Sequence, residues 1–250
     1  MTDPSFVSRL ASFPREWDGK VAYSSSLGRL SFAALRDDLR RLATWLRTET
    51  GLGADDRVAV CLPKSLEAIT AHFAVLYAGG VFVPLQHLGP APRLAALLGA
   101  IAPRLLITDR ATAAQLRQEP DAIGLPPTVE IEAAPDGRGF EALLAAIAPA
   151  REPAAARPEA LASIVFTSGS SGTPKGVMLS HRNIEINVDW MARADEIVPS
   201  DARFSQMPLQ YRQSFLYHPV TTGSRIHLLT DRETMFPALI AELMAREGIT

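Results

Sequence analysis

Apolar positions near the start of the chain follow first a strand pattern and then a helix pattern. Residues 21–33 contain two short apolar runs around a polar turn, which predicts two strands. From Ser31 onward, leucines recur at spacings of three and four as far as Leu46, which predicts an amphipathic helix with Ser31 as its N-cap. The charged residues of this helix are expected on or near its solvated face, with a structural role: Arg36, Asp37, Asp38, Arg40, Arg41 and Arg47.

Residues 57–85 read as a strand, a helix and a second strand. The run 57–62 is almost continuously apolar, as expected for a strand of a parallel sheet covered on both faces. A helix over 65–77 with Leu66, Ile69, Phe73 and Leu76 on one side precedes a strand over 81–85. The alternation continues with a helix at 92–101, a strand at 104–108, a helix at 111–118 and a weaker strand at 128–131. The predicted fold class is α/β.

A segment rich in proline and alanine, residues 147–162, is interpreted as an exposed connection. It divides the chain into a first α/β part, 1–146, and a second part, 163–250, whose first strand contains the run 161–165. Further elements are expected as a helix at 181–194, a strand at 203–207, a helix at 215–222 that is interrupted by Pro219, a strand at 225–229 and a helix at 235–247.

Composition excludes several classes of function. The 250 residues are 47% hydrophobic and 21% charged with a net charge of −2, which is typical of a globular protein and argues against non-specific nucleic-acid binding. The longest apolar stretch, 73–85, is too short to span a bilayer, and the N-terminus has no signal-peptide pattern. The single cysteine, Cys61, is expected in the core of a protein from a reducing compartment, and a cytoplasmic location is the default.

The candidate chemistry lies in residues 166–176, directly after the strand that contains 161–165. These eleven residues include three glycines, five hydroxyl side chains and Lys175. Such a loop offers backbone N–H groups, hydroxyls and a cation to a polyanion, although many Gly/Ser clusters are only surface turns. The sequence around Lys175 is not a Walker A motif, because no Gly-Lys-Ser/Thr run is present.

The order of these residues resembles the phosphate loop of the adenylate-forming (AMP-binding) superfamily, which includes acyl-CoA synthetases, luciferases and the adenylation domains of nonribosomal peptide synthetases. Residues 167–176 match its Thr-Ser-Gly-(Ser/Thr)-(Ser/Thr)-Gly-x-Pro-Lys-Gly pattern at every fixed place. The stretches 63–85 and 31–35 are similar to further family segments. The resemblance implies the N-terminal part of the large adenylation domain, with mostly parallel sheets flanked by helices and without the small C-terminal domain.

The resemblance also implies a reaction, in which ATP activates a carboxylic acid to an acyl-adenylate and pyrophosphate is released. Mg²⁺ would accompany ATP, and the thiol of coenzyme A or of a carrier-protein phosphopantetheine would accept the acyl group. Lys175 would stabilise the pyrophosphate and is distinct from the family's C-terminal lysine. The residues implied in binding the ATP phosphates are Thr167, Ser168, Gly169, Ser170, Ser171, Gly172, Thr173, Lys175 and Gly176.

Three residues after the loop stand at positions that correspond to further family segments. His181 stands where the family has a histidine at a helix start, and we expect it to have a structural role. Tyr211 and Arg212 fall in a stretch that borders the acyl pocket in the family and are the acyl-pocket candidates. An arginine facing that pocket would favour an anionic substrate group, whereas a solvated surface arginine is the alternative.

Three family features have no counterpart before Thr250: the adenine and magnesium segment, the ribose aspartate and the C-terminal lysine. Two interpretations therefore stay open. The chain is either the N-terminal part of an ATP-dependent carboxylate ligase that is inactive alone, or a non-catalytic homologue that acts as a binding or interaction module. Fatty acyl, aryl and amino-acid substrates are not separated by the sequence.

Overall fold

The computed structural model describes residues 5–87, 89–120, 124–132, 139–167, 174–211 and 213–250. These residues form helices α1–α11, which span Phe6–Ser12, Phe32–Thr48, Leu66–Ala78, Ala91–Ile101, Arg110–Gln118, Glu141–Leu144, His181–Ala194, Gln213–Leu216, His218–Thr222, Asp231–Met235 and Pro237–Glu247. Strands β1–β10 span Val21–Ser25, Gly28–Ser31, Arg57–Cys61, Val81–Pro84, Leu105–Thr108, Thr128–Glu130, Leu161–Thr167, Lys175–Ser180, Ala202–Ser205 and Arg225–Leu228.

The strands form two sheets. The larger sheet has the order β6-β5-β3-β4-β7-β8, and only β8 runs antiparallel to its neighbour. The smaller sheet has the order β2-β1-β10-β9, with β2 antiparallel to β1 and the other pairs parallel. The prediction of an α/β fold with mostly parallel sheets is therefore confirmed. Both sheets combine strands from before and after 147–162, and the division of the chain at that segment stays a prediction.

Helix α3 lies between the two sheets, where it contacts β3 and β4 of one and β1 and β2 of the other. All of its residues are buried. The prediction of one apolar side therefore missed that the helix is covered on every side. Ser65 caps its N-terminus by accepting a hydrogen bond from Ala68 N–H (3.2 Å). Gly79 ends it at φ 90°, and a Cβ there would lie 2.7 Å from the Ala154 Cβ. Glycine is required at this helix end for both reasons.

Inside this core, a polar contact joins α3 to the segment before α9. The Tyr217 hydroxyl is hydrogen-bonded to His72 Nε2 at 2.6 Å, and the His72 ring stacks on Phe82 with centroids 3.8 Å apart. Burial lowers the pKa of His72 to about 3, so the imidazole is neutral at physiological pH. The buried Tyr217 hydroxyl therefore has a hydrogen-bond partner, and the pair places no charge in the core.

Helix α2 starts as predicted, with Ser31 accepting a hydrogen bond from Ala34 N–H (3.1 Å). Its leucines are buried, but the expectation that Arg36 lies near the solvated face was wrong. Arg36 is only 6% exposed; it pairs with Asp18 and donates to the carbonyls of Phe13 (2.9 Å) and Pro14 (3.3 Å). Periodicity alone did not reveal this position, because its partners come from the turn before β1 rather than from the helix.

Other boundaries differ modestly from the predictions. The strand expected at 203–207 is β9, which ends at Ser205. The interrupted helix expected at 215–222 is two short helices, α8 and α9. Pro219 lies in the first turn of α9, where its missing N–H costs no hydrogen bond. The helix expected at 235–247 is α11, which begins at Pro237 after the separate α10. Helices α1, α6 and α10 and strand β8 were not predicted.

Candidate functional site

The candidate phosphate site lies at the end of a β-hairpin made by β7 and β8. Strand β7 lies between β4 and β8 in the larger sheet, and the Ser163 hydroxyl donates to the Phe82 carbonyl (2.9 Å). The register pairs Thr167 with Lys175, and the Thr167 hydroxyl donates to the Lys175 carbonyl (3.4 Å). The loop after β7 is therefore the connection of an antiparallel hairpin. Strand β8 was not predicted because its sequence does not alternate between apolar and polar residues. Its adjacent apolar residues Val177 and Met178 are both exposed.

Three of the predicted phosphate-binding residues lie at the loop end of this hairpin. Thr167 and Lys175 are exposed, so both side chains are accessible to a ligand. Gly176 lies inside β8, opposite Phe166, where a Cβ would come 2.9 Å from the Ile164 side chain. The absence of a side chain at Gly176 thus lets the two strands pair beneath the loop. The other predicted loop residues, Ser168, Gly169, Ser170, Ser171, Gly172 and Thr173, lie outside the described residues.

Helix α7 follows β8 directly and begins with a capping box. The Ser180 hydroxyl accepts from Asn183 N–H (3.1 Å), while the Asn183 side chain accepts from Ser180 N–H (3.0 Å). His181 is buried, and burial lowers its pKa to about 4. A buried, neutral imidazole at a helix start fits the structural role expected for His181 better than a catalytic one.

A cleft of about 120 Å³ opens at the C-terminal end of β9. It is lined by Phe204, Ser205, Gln206, Met207 and Phe215. The acyl-pocket candidate Tyr211 lies in the turn beyond the cleft, where its side chain is 47% exposed and its N–H donates to the Pro208 carbonyl (2.9 Å). Tyr211 is not among the cleft-lining residues, and the second candidate, Arg212, lies outside the described residues.

Lys64, in the turn between β3 and α3, contacts Gln206, one of the residues that line this cleft. Its ammonium donates to the carbonyl of Gln206 at 3.1 Å. This contact joins the end of a strand in the larger sheet to the end of β9 in the smaller one. Sequence reasoning missed Lys64, because nothing in the pattern of residues 57–85 indicates that its partner is 142 residues away.

A second polar contact joins two strand ends of the larger sheet. His87 Nε2, after β4, lies 2.6 Å from Asp109 Oδ2, after β5, and both side chains are mostly buried. Asp109 also caps α5 by accepting from Thr112 N–H (2.7 Å). Burial by itself raises the pKa of Asp109, but the hydrogen bonds from Thr112 and His87 outweigh it and hold the pKa below its usual value.

Replacing Asp109 with asparagine is expected to lower the free energy of unfolding by about 1 kcal/mol at pH 7, because a charge-assisted contact to His87 becomes neutral while the helix cap is kept. A carboxylate whose pKa is depressed in the folded state stabilises it above the unfolded pKa, and this stabilisation is lost as pH falls through the folded pKa. The difference between variant and parent should therefore shrink below about pH 4.

Urea unfolding at pH 7 and at low pH measures this difference. Asp37→Asn is the matched control, since Asp37 forms a half-exposed pair with Arg41 at 2.6 Å and its loss should change stability by no more than about 0.5 kcal/mol. A loss for Asp109→Asn that is equal at both pH values would contradict the assigned contact.

The described ranges hold no group of three or more His, Cys, Asp or Glu side chains arranged to bind a metal ion. None of their helices combines the length and the hydropathy that crossing a membrane requires. Cys61 is buried, as predicted, and burial raises the pKa of its thiol to about 12, so it is not a reactive thiolate.

Comparison with curated proteins shows similarity to peptide synthetases. Cyclosporin synthetase simA from Tolypocladium inflatum is 35% identical over 174 residues, which is 66% of this chain and 1% of that protein. Tyrocidine synthase 3 from Brevibacillus parabrevis is 29% identical over 223 residues, 88% of this chain and 3% of that protein. The chain thus spans only a small fraction of the length of these relatives.

Solved structures share the fold. ATP-bound MatB from Rhodopseudomonas palustris superimposes with a TM-score of 0.81 at 27% identity, covering 96% of this chain and 47% of that one. An ATP-bound RpMatB-BxBclM chimera gives a TM-score of 0.83 at 26% identity with the same coverage. The family model described as AMP-binding enzyme matches residues 10–250. The hairpin, the two sheets and these similarities together show that the chain belongs to the AMP-binding, adenylate-forming enzyme family.

Proposed function

We propose that this chain provides the phosphate-binding part of an enzyme that activates a carboxylic acid with ATP. The observation that carries the proposal is the register of the β7–β8 hairpin, which sets exposed Thr167 opposite exposed Lys175 at the base of a loop rich in glycine and hydroxyl residues. A cation and a hydroxyl held on paired strands suit a polyphosphate, because their positions are fixed before the ligand binds.

In the proposed reaction, a carboxylate oxygen of the acid attacks the α-phosphorus of ATP. The bond between that phosphorus and the bridging oxygen breaks, and pyrophosphate leaves with the electron pair. Lys175 would stabilise the charge that develops on the leaving group, together with Thr167 and the loop residues Ser168, Gly169, Ser170, Ser171, Gly172 and Thr173. Mg²⁺, when bound together with ATP, would neutralise part of the charge of the phosphates.

The proposal also includes the acceptor of the acyl group and the pocket for the acid. The acyl group would pass to the thiol of coenzyme A or of a carrier-protein phosphopantetheine, in a cytoplasmic setting. Tyr211 and Arg212 stay candidates for the border of the acyl pocket. Residues 1–250 contain no counterpart of the family's ribose aspartate or C-terminal lysine, and we therefore expect these residues by themselves to bind phosphates without completing adenylation.

We expect purified 1–250 to show no acid-dependent exchange of radiolabelled pyrophosphate into ATP, because the groups that hold adenosine and the transition state are absent from these residues. The same preparation is expected to bind magnesium tripolyphosphate in calorimetric titration, since that ligand needs only the hairpin and its loop.

Each outcome of this pair of measurements is informative. Robust exchange by 1–250 would contradict the expected inactivity while supporting carboxylate activation. Absence of both exchange and tripolyphosphate binding would contradict the proposed phosphate site and favour an interaction module. Calorimetry with sodium sulfate at matched ionic strength controls for non-specific anion binding.

A further inference from the structure

The strand that precedes the candidate phosphate loop has a short attachment to the rest of the larger sheet. In the described residues, β4 and β7 are paired at one register position, Phe82 opposite Ser163. The N–H groups of Val81 and Leu85 donate toward β3 at 2.8 and 2.9 Å, so the alternate residues of β4 face β7. The next residue of β4 that faces β7 is Pro84, which has no N–H to donate. The ladder between β4 and β7 therefore has no further donor from β4 beyond Phe82.

Strand β7 has an irregularity next to this attachment. Between Leu161 and Ser163, the pairing with β8 advances two residues along β7 and one residue along β8. One extra residue in one strand of an antiparallel pair is a β-bulge. Ser163 is the first paired residue after the bulge, and from there the register continues without a shift to the loop end of the hairpin.

The position of this bulge determines which side chains are opposite each other at the loop end. Thr167 is opposite Lys175, and directly opposite residues of an antiparallel pair present their side chains on the same face. Displacing the bulge along β7 would offset the pairing by one residue, and side chains that now share a face would point to opposite faces. The phosphate site of the proposed function thus depends on where the bulge lies.

The Ser163 side chain holds the residue after the bulge against a rigid part of the core. Its hydroxyl donates to the Phe82 carbonyl at 2.9 Å, and both residues are fully buried. The Phe82 ring stacks on His72 of α3, with centroids 3.8 Å apart. Strand β8, by contrast, is an edge strand on which Val177 and Met178 are 45% and 69% exposed, so packing constrains this side of the hairpin little.

We propose that Ser163 is a positioning residue for phosphate binding, because its hydroxyl holds the bulge of β7 in place and thereby keeps Thr167 opposite Lys175. The inference rests on the proposed function, since it names the residue that sets the register of that site. Ser163 lies four strand residues before Thr167, about 13 Å away, and so acts through the register rather than by contact with the phosphates. The competing explanation is that the hydroxyl contributes to stability alone.

Calorimetric titration with magnesium tripolyphosphate tests the proposal by comparing the full 250-residue chain with Ser163→Ala. The variant is expected to bind about three- to tenfold more weakly. Loss of the hydroxyl bond lets shifted registers compete with the productive one, and apparent affinity falls in proportion to the productive fraction. A fold-change of this size corresponds to about 0.7–1.4 kcal/mol, which lies within the range of a neutral hydrogen bond.

Thr108→Val is the matched control. The Thr108 hydroxyl also donates to a carbonyl of the neighbouring strand at 2.9 Å, in this case that of Cys61, and Thr108 is equally buried. It joins β5 to β3 in the same sheet, away from the hairpin. Each variant loses one buried hydroxyl bond, so both should lose similar stability in urea unfolding, whereas only Ser163→Ala should lose affinity for tripolyphosphate.

Hydrogen exchange without ligand provides a second readout. Amides in residues 161–180 should exchange faster in Ser163→Ala than in the parent, and Thr108→Val should leave them unchanged, because only the first substitution acts on the bulge. Far-UV circular dichroism establishes that each variant is folded. Should Ser163→Ala fail to fold, Ser163→Cys carries the same comparison, since a thiol is close in size to the hydroxyl and is a weaker donor.

The outcomes separate this inference from the proposed function. A parent chain that does not bind tripolyphosphate contradicts the phosphate site itself. If the parent binds, the role of Ser163 is overturned by a variant that keeps the parent's affinity, by an equal loss of affinity in Thr108→Val, or by unchanged exchange in residues 161–180.

Discussion

Replacing Lys175 with alanine is expected to weaken binding of magnesium tripolyphosphate and of ATP by about 10- to 100-fold. The lysine would donate a charge-assisted hydrogen bond to a phosphate oxygen, and such bonds contribute about 1.5–3 kcal/mol. The fold should not change, because Lys175 is exposed at the start of β8 and its pairing with Thr167 uses the backbone. Calorimetric titration of parent and variant measures the ratio of dissociation constants.

Lys20→Ala is the control for Lys175→Ala, since it removes the same charge from an exposed position outside the hairpin. Any general effect of net charge on anion binding appears in both variants, and only a difference between them reports on the site. In a longer relative that carries the same loop, the lysine equivalent to Lys175 should matter more for ATP use than for acid binding. Equal loss of both would count against a role in holding phosphate.

Replacing Arg36 with leucine is expected to lower the free energy of unfolding by about 2–4 kcal/mol. Leucine has a helix propensity close to that of arginine, so the change does not act through α2 itself. It removes the donor to the Phe13 carbonyl and the closest cation from the Asp18 carboxylate, which keeps only Arg15 at 3.8 Å, and it removes a guanidinium that lies 4.3 Å from the Phe13 ring centroid. The Pro14 carbonyl keeps its hydrogen bond from Trp17 N–H (3.2 Å), so the lost partners of Phe13 and Asp18 account for most of the expected cost.

Thermal and urea unfolding measure the effect of Arg36→Leu. For a chain of this size, the midpoint temperature should fall by roughly 5–15 °C. Arg47→Leu is the control, because Arg47 is exposed on the same helix and its replacement should change stability by no more than about 0.5 kcal/mol. Similar losses in the two variants would show that the contacts to Asp18, Phe13 and Pro14 do not stabilise the fold.

Local features of the fold were accessible from the sequence because their causes lie within a few residues. Ser31 and Ser180 cap their helices through atoms three positions away, and Gly79 ends α3 through its own backbone angle. The same holds for the phosphate loop, whose glycines, hydroxyls and lysine are contiguous. The family and the type of chemistry could therefore be inferred before any tertiary contact was known.

Contacts between segments that are distant in the sequence could be identified only from the tertiary structure. Strand β1 pairs with β10, so that Tyr23 is opposite Ile226, and no periodic pattern near either residue specifies the other. The burial of Arg36 and the reach of Lys64 to Gln206 likewise depend on partners from elsewhere in the chain. Strand β8 forms because β7 offers it an edge, although its own residues alternate poorly.

The sequence by itself determined the α/β class, the position of most helices and strands, and a candidate phosphate loop, residues 166–176, that contains Lys175. Tertiary structure alone decided which strands share a sheet, that β7 and β8 form an antiparallel hairpin, and that a lysine after β3 donates to the carbonyl of Gln206 after β9. The physical reason is that caps, turns and amphipathic periods act over a few residues, whereas pairing and burial between distant segments follow from packing the whole core at once.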